Sequence, residues 1–404
     1  MTLTYYPTKW GGTPTPPHLF FPKTRFGALP KSLARKIELS RASLTFVGTS
    51  NPFPMQKLFT LTFLALVLCS SHKLAAQDPR FSQYYASPYN LNPAMTGVFN
   101  GEWRTTVNYR DQWNSILNNT PFRTYSVSGE YRRATASDDY MAFGIGAIHD
   151  EAGTARYQQN KIHLGFAFLK QLSGGRNKTE HYLSAGAQYG FGQHSIDWGR
   201  LWFSRQFDNG TEQPDFNAGS GENFGNGNTP LFSDFNAGLM WYAVLENGGF
   251  FYLGAAGHHL NEPKISLMQT NQFTLYRRWS GHFGGQLPLS DVLSLLPGIQ
   301  VMKQGPAFET DFGMNVRYSN NDLDELALRA GAWLRLGNKL DKGIQADALT
   351  IVAMIERNRW MIGASYDLTV SSLANVNNSR GAFELSLTYF HPEKRRSKVT
   401  CPRF

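Results

Sequence analysis

From residue 103 onward the chain alternates. Trp103, Thr105, Val107 and Tyr109 fall on one side of an extended backbone, and Arg104, Thr106, Asn108 and Arg110 fall on the other. Successive side chains of a strand point to opposite faces, so one face here is apolar and the other wet. The same split recurs in Met141, Phe143, Ile145 and Ala147, and in Leu326, Leu328, Ala330, Ala332 and Leu334 against Arg329, Gly331 and Arg335. It also sets Ile162, Leu164, Phe166 and Phe168 against Lys161, His163 and Gly165. About 14 such segments are predicted, near 103–112, 122–132, 140–150, 157–170, 181–192, 233–245, 249–259, 278–288, 292–303, 307–319, 325–337, 347–356, 359–369 and 381–390. Most run about 10 to 14 residues, where a globular strand averages about 5 or 6 and a tilted membrane strand needs about 9 to 11.

The connections point the same way, because outer-membrane barrels keep periplasmic turns short and let outer loops grow. Counting from a periplasmic start, tight turns follow even-numbered strands at 246–248, 290 and 357–358, and long connections follow odd-numbered ones at 193–232, 260–277 and 370–380. The exceptions are a longer even gap around SGGRNKTE and a short odd gap around QGP. The pattern predicts an all-β fold: a closed antiparallel outer-membrane β-barrel of about 14 strands over residues 103–390, preceded by an irregular N-terminal segment. A soluble propeller or sandwich would have no use for apolar aromatic rows in strands this long.

On this reading Trp103, Trp113, Tyr125, Tyr131 and Tyr140 sit near strand ends, where interfacial girdles belong. The inferred lumen mixes Arg104, Arg110, His163, Gln188, His282, Gln286, Glu309, Asp311, Arg317, Arg329 and Arg335 with many glycines, not a ring of one sign. In the last hairpin Phe383, Leu385, Leu387 and Tyr389 are expected to face lipid. Glu384, Ser386, Thr388 and Phe390 are expected mostly to face the lumen, where an Arg at Ser386 should reach water and be tolerated.

Charge changes meaning once it is located. The chain has 404 residues and a formal charge of +9, but nine basic residues and one acid lie before residue 77, which leaves 30 basic and 29 acidic residues beyond it. The basic pI belongs to the leader, and the nucleic-acid reading loses its support. Within that leader, MQKLFTLTFLALVLCSSHKLAAQ has an early Lys, an apolar run from Leu58 to Leu68 and small residues Ala75 and Ala76 before Gln77. Residues 55–76 are therefore expected to be a secretory signal peptide, and residues 1–54 a mis-assigned upstream extension. Cys69 lacks the small residues usual just before a lipidated cysteine, and the run on to Ala76 suits ordinary cleavage, which leaves Cys401 alone in the mature chain, without an intrachain disulfide.

Chemistry motifs are sparse. There is no nucleophile elbow, phosphate loop, C-x-x-C pair or H-E-x-x-H helix. GHHLNEP places His258, His259 and Glu262 at metal-like spacing, but Pro263 and the preceding strand argue against the helix such a site needs, and a polar strand exit is expected. DNGTEQPD, around Asp208 and Asp215, lacks the regular alternation of a calcium loop and reads as a solvated loop. No catalysis, cofactor or metal is expected.

Four stretches in order, QDPRFSQYYASPYNLNPAMTG, GHHLNEP, IGASYDLTVSSLANVNNSRGAFELSLTYF and CPRF, resemble the PorP/SprF family of type IX secretion system membrane proteins. The resemblance implies an integral outer-membrane barrel in a Bacteroidota-type cell. It implies work in protein secretion and, in some members, gliding motility, with secreted surface proteins and periplasmic or outer-membrane secretion components as partners. His258, His259, Asn261, Glu262, Arg278, His282, Tyr366, Asp367, Asn92 and Pro93 are the candidate partner-binding residues. Residues 77–102, rich in Tyr, Asn and Pro, are expected to act as a latch in a polar mouth, since Pro79, Pro88 and Pro93 block helix and ladder formation. Residues 391–404 form a basic tail. Two functions share this fold: a partner-binding barrel that anchors or delivers secreted proteins, which the mixed-sign lumen favours, and a porin for small solutes.

Overall fold

The computed structural model describes residues 77–392 apart from 118–119, 121, 136–138, 175–178, 223–225, 268–272, 321–325 and 340–342. The expected extension (1–54), the signal peptide (55–76) and all but the first two residues of the tail (391–404) lie outside the described residues.

Fourteen strands form the barrel: β1 (Trp103–Gln112), β2 (Phe122–Ala134), β3 (Tyr140–Ala152), β4 (Tyr157–Ser173), β5 (Glu180–Ser195), β6 (Phe232–Val244), β7 (Phe250–His258), β8 (Arg278–Pro288), β9 (Leu293–Gln304), β10 (Ala307–Asn320), β11 (Leu326–Asn338), β12 (Ile344–Arg357), β13 (Trp360–Thr369) and β14 (Arg380–His391). Each pairs antiparallel with its sequence neighbours, and β1 closes on β14 with Trp103 opposite His391 and Gln112 opposite Ala382. No barrel edge is left unpaired, which lets an antiparallel sheet sit in lipid.

The alternation falls as the sequence predicts. Phe143 (53% exposed), Ile145 (54%) and Leu164 (63%) present the apolar outer surface, while Arg104, Arg110, Arg329 and Arg335 are buried inside. Trp103, Tyr389 and Trp360 cluster outside at one end, with ring centroids 5.1 and 4.7 Å apart along that row. Tyr125 and Tyr131 are also outward, but Tyr140 is not a girdle residue. Its ring is buried inside, 4.7 Å from the Arg132 guanidinium, because it precedes outward-facing Met141 and takes the opposite face.

The N-terminal segment does not stop at the mouth. It runs through the lumen as three short turns, Tyr84–Ala86, Pro88–Leu91 and Pro93–Met95, before β1 begins. Two of these turns start on proline, whose fixed φ suits a first helical position and whose missing N–H costs nothing there. The Asn92 side chain caps the third, accepting from Ala94 N at 2.8 Å.

Candidate functional site: the filled lumen and its two mouths

The segment is held along its whole length by the inward face of the barrel. At the end carrying the long connections, Asp78 sits among Lys161 (2.5 Å), His259 (2.5 Å) and Arg278 (3.2 Å). His259 also bonds Asp234 at 2.8 Å, and Asp234 bonds His163 at 2.9 Å. Arg80 pairs with Glu309.

Deeper, Ser82 and Gln83 both donate backbone N–H groups to the Glu384 carboxylate, at 2.6 and 2.9 Å. Glu384 also pairs with Arg110, and Asp367 binds Arg110 (3.1 Å), Arg335 (3.0 Å) and the Ser82 hydroxyl (2.7 Å). Two arginines and two carboxylates therefore close around one serine of the segment, the pairing that buried charge requires. Tyr84 and Tyr85 then pack on Trp333, with centroids 5.4 and 5.1 Å away.

Below that, glycines shape the wall. A Cβ on Gly144 would stand 2.5 Å from the Tyr89 ring, and one on Gly165 would stand 2.9 Å from its hydroxyl, which donates to His163 O at 3.0 Å. Asn92 rests over Gly238 and Gly254, donates to Leu239 O at 3.2 Å and shares a bond with His282 at 3.0 Å. At the far end Glu130 accepts from Gly97 N (3.0 Å) and pairs with Arg104 (2.8 Å).

Most of the predicted site residues meet here. His258 donates to Leu91 O (3.3 Å) and Arg278 to Asn90 O (3.4 Å), so His258, His259, Arg278, His282 and Asp367 are wall residues that grip the segment, and Asn92 and Pro93 belong to the segment itself. Three lie elsewhere. Tyr366 is exposed on the outer face of β13. Asn261 and Glu262 lie in the connection after β7, where Asn261 bonds Ser233 O (2.8 Å) and Glu262 pairs with Arg277 (3.2 Å). Glu262 is thus engaged away from the two histidines. Sequence reasoning missed Tyr89, Ser82 and the glycine floor; the available signal was the inward run Gly144, Gly146 and Gly165, which leaves space for something to fill.

The long connection after β5 carries a small hairpin, Phe207–Asp208 with Gln213–Pro214. Hydrogen bonds from Gly210 N and the Thr211 hydroxyl hold the Asp208 carboxyl below its ordinary pKa. Asp215 likewise accepts from Asn217 N at 2.8 Å, so both carboxylates serve local turns.

Residues 73–389 match the family described as type IX secretion system membrane protein PorP/SprF. The chain belongs to the PorP/SprF family. It is a type IX secretion system membrane protein, and its closed 14-stranded barrel is integral to the outer membrane. Similar solved structures include CdiB from Acinetobacter baumannii, at 8% identity over 71% of this chain and 60% of that one with a TM-score of 0.41. The CymD monoaromatic hydrocarbon channel matches at 12% identity over 76% and 93% of the two chains, TM-score 0.39. The Pseudomonas putida toluene transporter TodX matches at 12% over 74% and 90%, TM-score 0.39. All three are distant, and the chain spans less than two thirds of the length of CdiB. No curated protein matches the chain.

Proposed function

We propose that this PorP/SprF protein works by binding: it anchors or delivers secreted surface proteins at its outer mouth and contacts periplasmic secretion components at its inner one. The filled lumen carries the reading, because a segment bonded to the wall from Asp78 to Gly97 leaves a platform and not a passage. The long connections after β5 and β7 supply one broad face, and the short turns put the opposite end toward the periplasm. Residues 55–76 direct export and are removed, residues 1–54 precede the true start, and the segment 77–102 seals the barrel. Where the host glides, the same anchoring would serve motility adhesins.

Affinity capture from mild detergent extracts of native outer membrane tests this. Secreted surface proteins and periplasmic secretion components are expected to be retained together, and deletion within 196–231 is expected to lose the surface proteins selectively. Retention of neither class would overturn the reading.

A further inference from the structure

The segment is tethered at one end only. At the short-turn end it runs into β1, where Glu102 N donates to His391 O at 2.8 Å, and its start lies at the opposite mouth, beside the long connections. Once residues 55–76 are removed, that start is a free chain end. Gln77 is exposed, its carbonyl accepts from the Gln159 side chain at 3.5 Å, and Asp78 N donates to the Gln304 side chain at 2.9 Å. Lifting Gln77 and Asp78 breaks those two bonds and the contacts of the Asp78 carboxylate.

That carboxylate is buried and is the ion-pair partner of both Lys161 (2.5 Å) and Arg278 (3.2 Å), while His259 Nε2 meets it at 2.5 Å. The three groups come from β4, from the start of β8 and from the residue after β7, so the wall builds a receptor and the free end supplies its ligand. Buried cations of this kind require a carboxylate partner. Arg278 Nε is also buried with no hydrogen-bond partner among the described residues, a donor that a further oxygen would satisfy. A cavity of about 80 Å³ lies against the cluster, with Asp78, Lys161, His163, His259 and Arg278 in its lining.

We propose that Lys161, His259 and Arg278 form a carboxylate receptor at the outer mouth, occupied in cis by Asp78, and that an acidic side chain of a secreted surface protein takes its place and lifts the free end. This rests on the binding function proposed above and gives the chemistry by which the secreted protein is held. The resident carboxylate sits at high effective concentration, so an isolated acidic peptide binds the intact protein weakly and a variant without that carboxylate more tightly. A secreted protein that also touches the long connections has the further contacts needed to displace it.

The test uses the purified protein in mild detergent, isothermal titration and two unlabelled, end-blocked peptides, Gly-Ser-Asp-Gly-Ser-Asp and its neutral form Gly-Ser-Asn-Gly-Ser-Asn. Asp78→Asn is expected to bind the Asp peptide at least about ten-fold more tightly than the intact protein does, with no gain for the Asn peptide, and adding Arg278→Gln is expected to remove the gain. Hydrogen exchange on the intact protein needs no variant: saturating Asp peptide is expected to raise exchange at the amides of Asp78, Arg80 and Phe81, and the Asn peptide to leave it unchanged. If Asp78→Asn loses heat-modifiable migration, the exchange result decides alone. No gain in a folded Asp78→Asn, an equal gain for the Asn peptide, or unchanged exchange in the intact protein would overturn the proposal. Affinity capture separates this from the wider reading: if secreted surface proteins are retained while the Asp peptide fails, the receptor assignment falls and the binding function stands.

Discussion

The ring of Tyr89 occupies the space that a side chain on Gly144 would need, with the missing Cβ only 2.5 Å from Cε2. Segment and wall are therefore one packing unit. Gly144→Leu is expected to expel the ring, at about 1–3 kcal/mol for overpacking, and Tyr89→Ala to cost about 3–5 kcal/mol through the cavity it leaves. Combined, they should be milder than the sum of the two. The midpoint of heat-modifiable migration measures this, and strictly additive losses would show that the contact is not formed.

Asp367 holds two buried arginines and Ser82 together. Asp367→Ala removes one carboxylate from Arg110 and Arg335, which keep Glu384 and Asp311 respectively, and is expected to destabilise the folded barrel by about 1–3 kcal/mol. An unchanged denaturation midpoint in urea would place that network in open water.

Leu385 and Ser386 separate face from packing. Leu385→Arg puts charge in hydrocarbon and is expected to cost about 2–4 kcal/mol. Ser386 is inward, as its alternation predicts, but it donates to Gln83 at 3.0 Å, so an Arg there meets the segment and not water. Ser386→Arg is expected to displace the segment, and to be tolerated once residues 78–96 are deleted. Equal folding of Ser386→Arg with and without the deletion would contradict this.

Orientation is tested by epitope tags. A tag at Asn209 in the hairpin after β5 is expected to be reached by antibody on intact cells, and one at Asn247 only after permeabilisation. The opposite result would invert the barrel.

The strands were legible because lipid demands an apolar row at every second position. That demand set Phe143, Ile145 and Leu164 outward, and it set the register of the last hairpin. Even Tyr140 was decidable: it follows the same parity, and reading it as a girdle residue let position at a strand end outweigh alternation. The grip on the segment was not legible, since a glycine such as Gly144 states that room is needed without naming the guest. Nor does an inward Asp367 reveal whether water, a ligand or Ser82 will satisfy it. Those pairings join positions up to 303 residues apart and depend on how the segment threads the closed barrel.

Conductance in planar bilayers shows whether the segment closes the lumen. The purified protein is expected to be electrically silent, and the variant lacking residues 78–96 to show open channels. Large, stable conductance from the intact protein would contradict the account and make the barrel a pore.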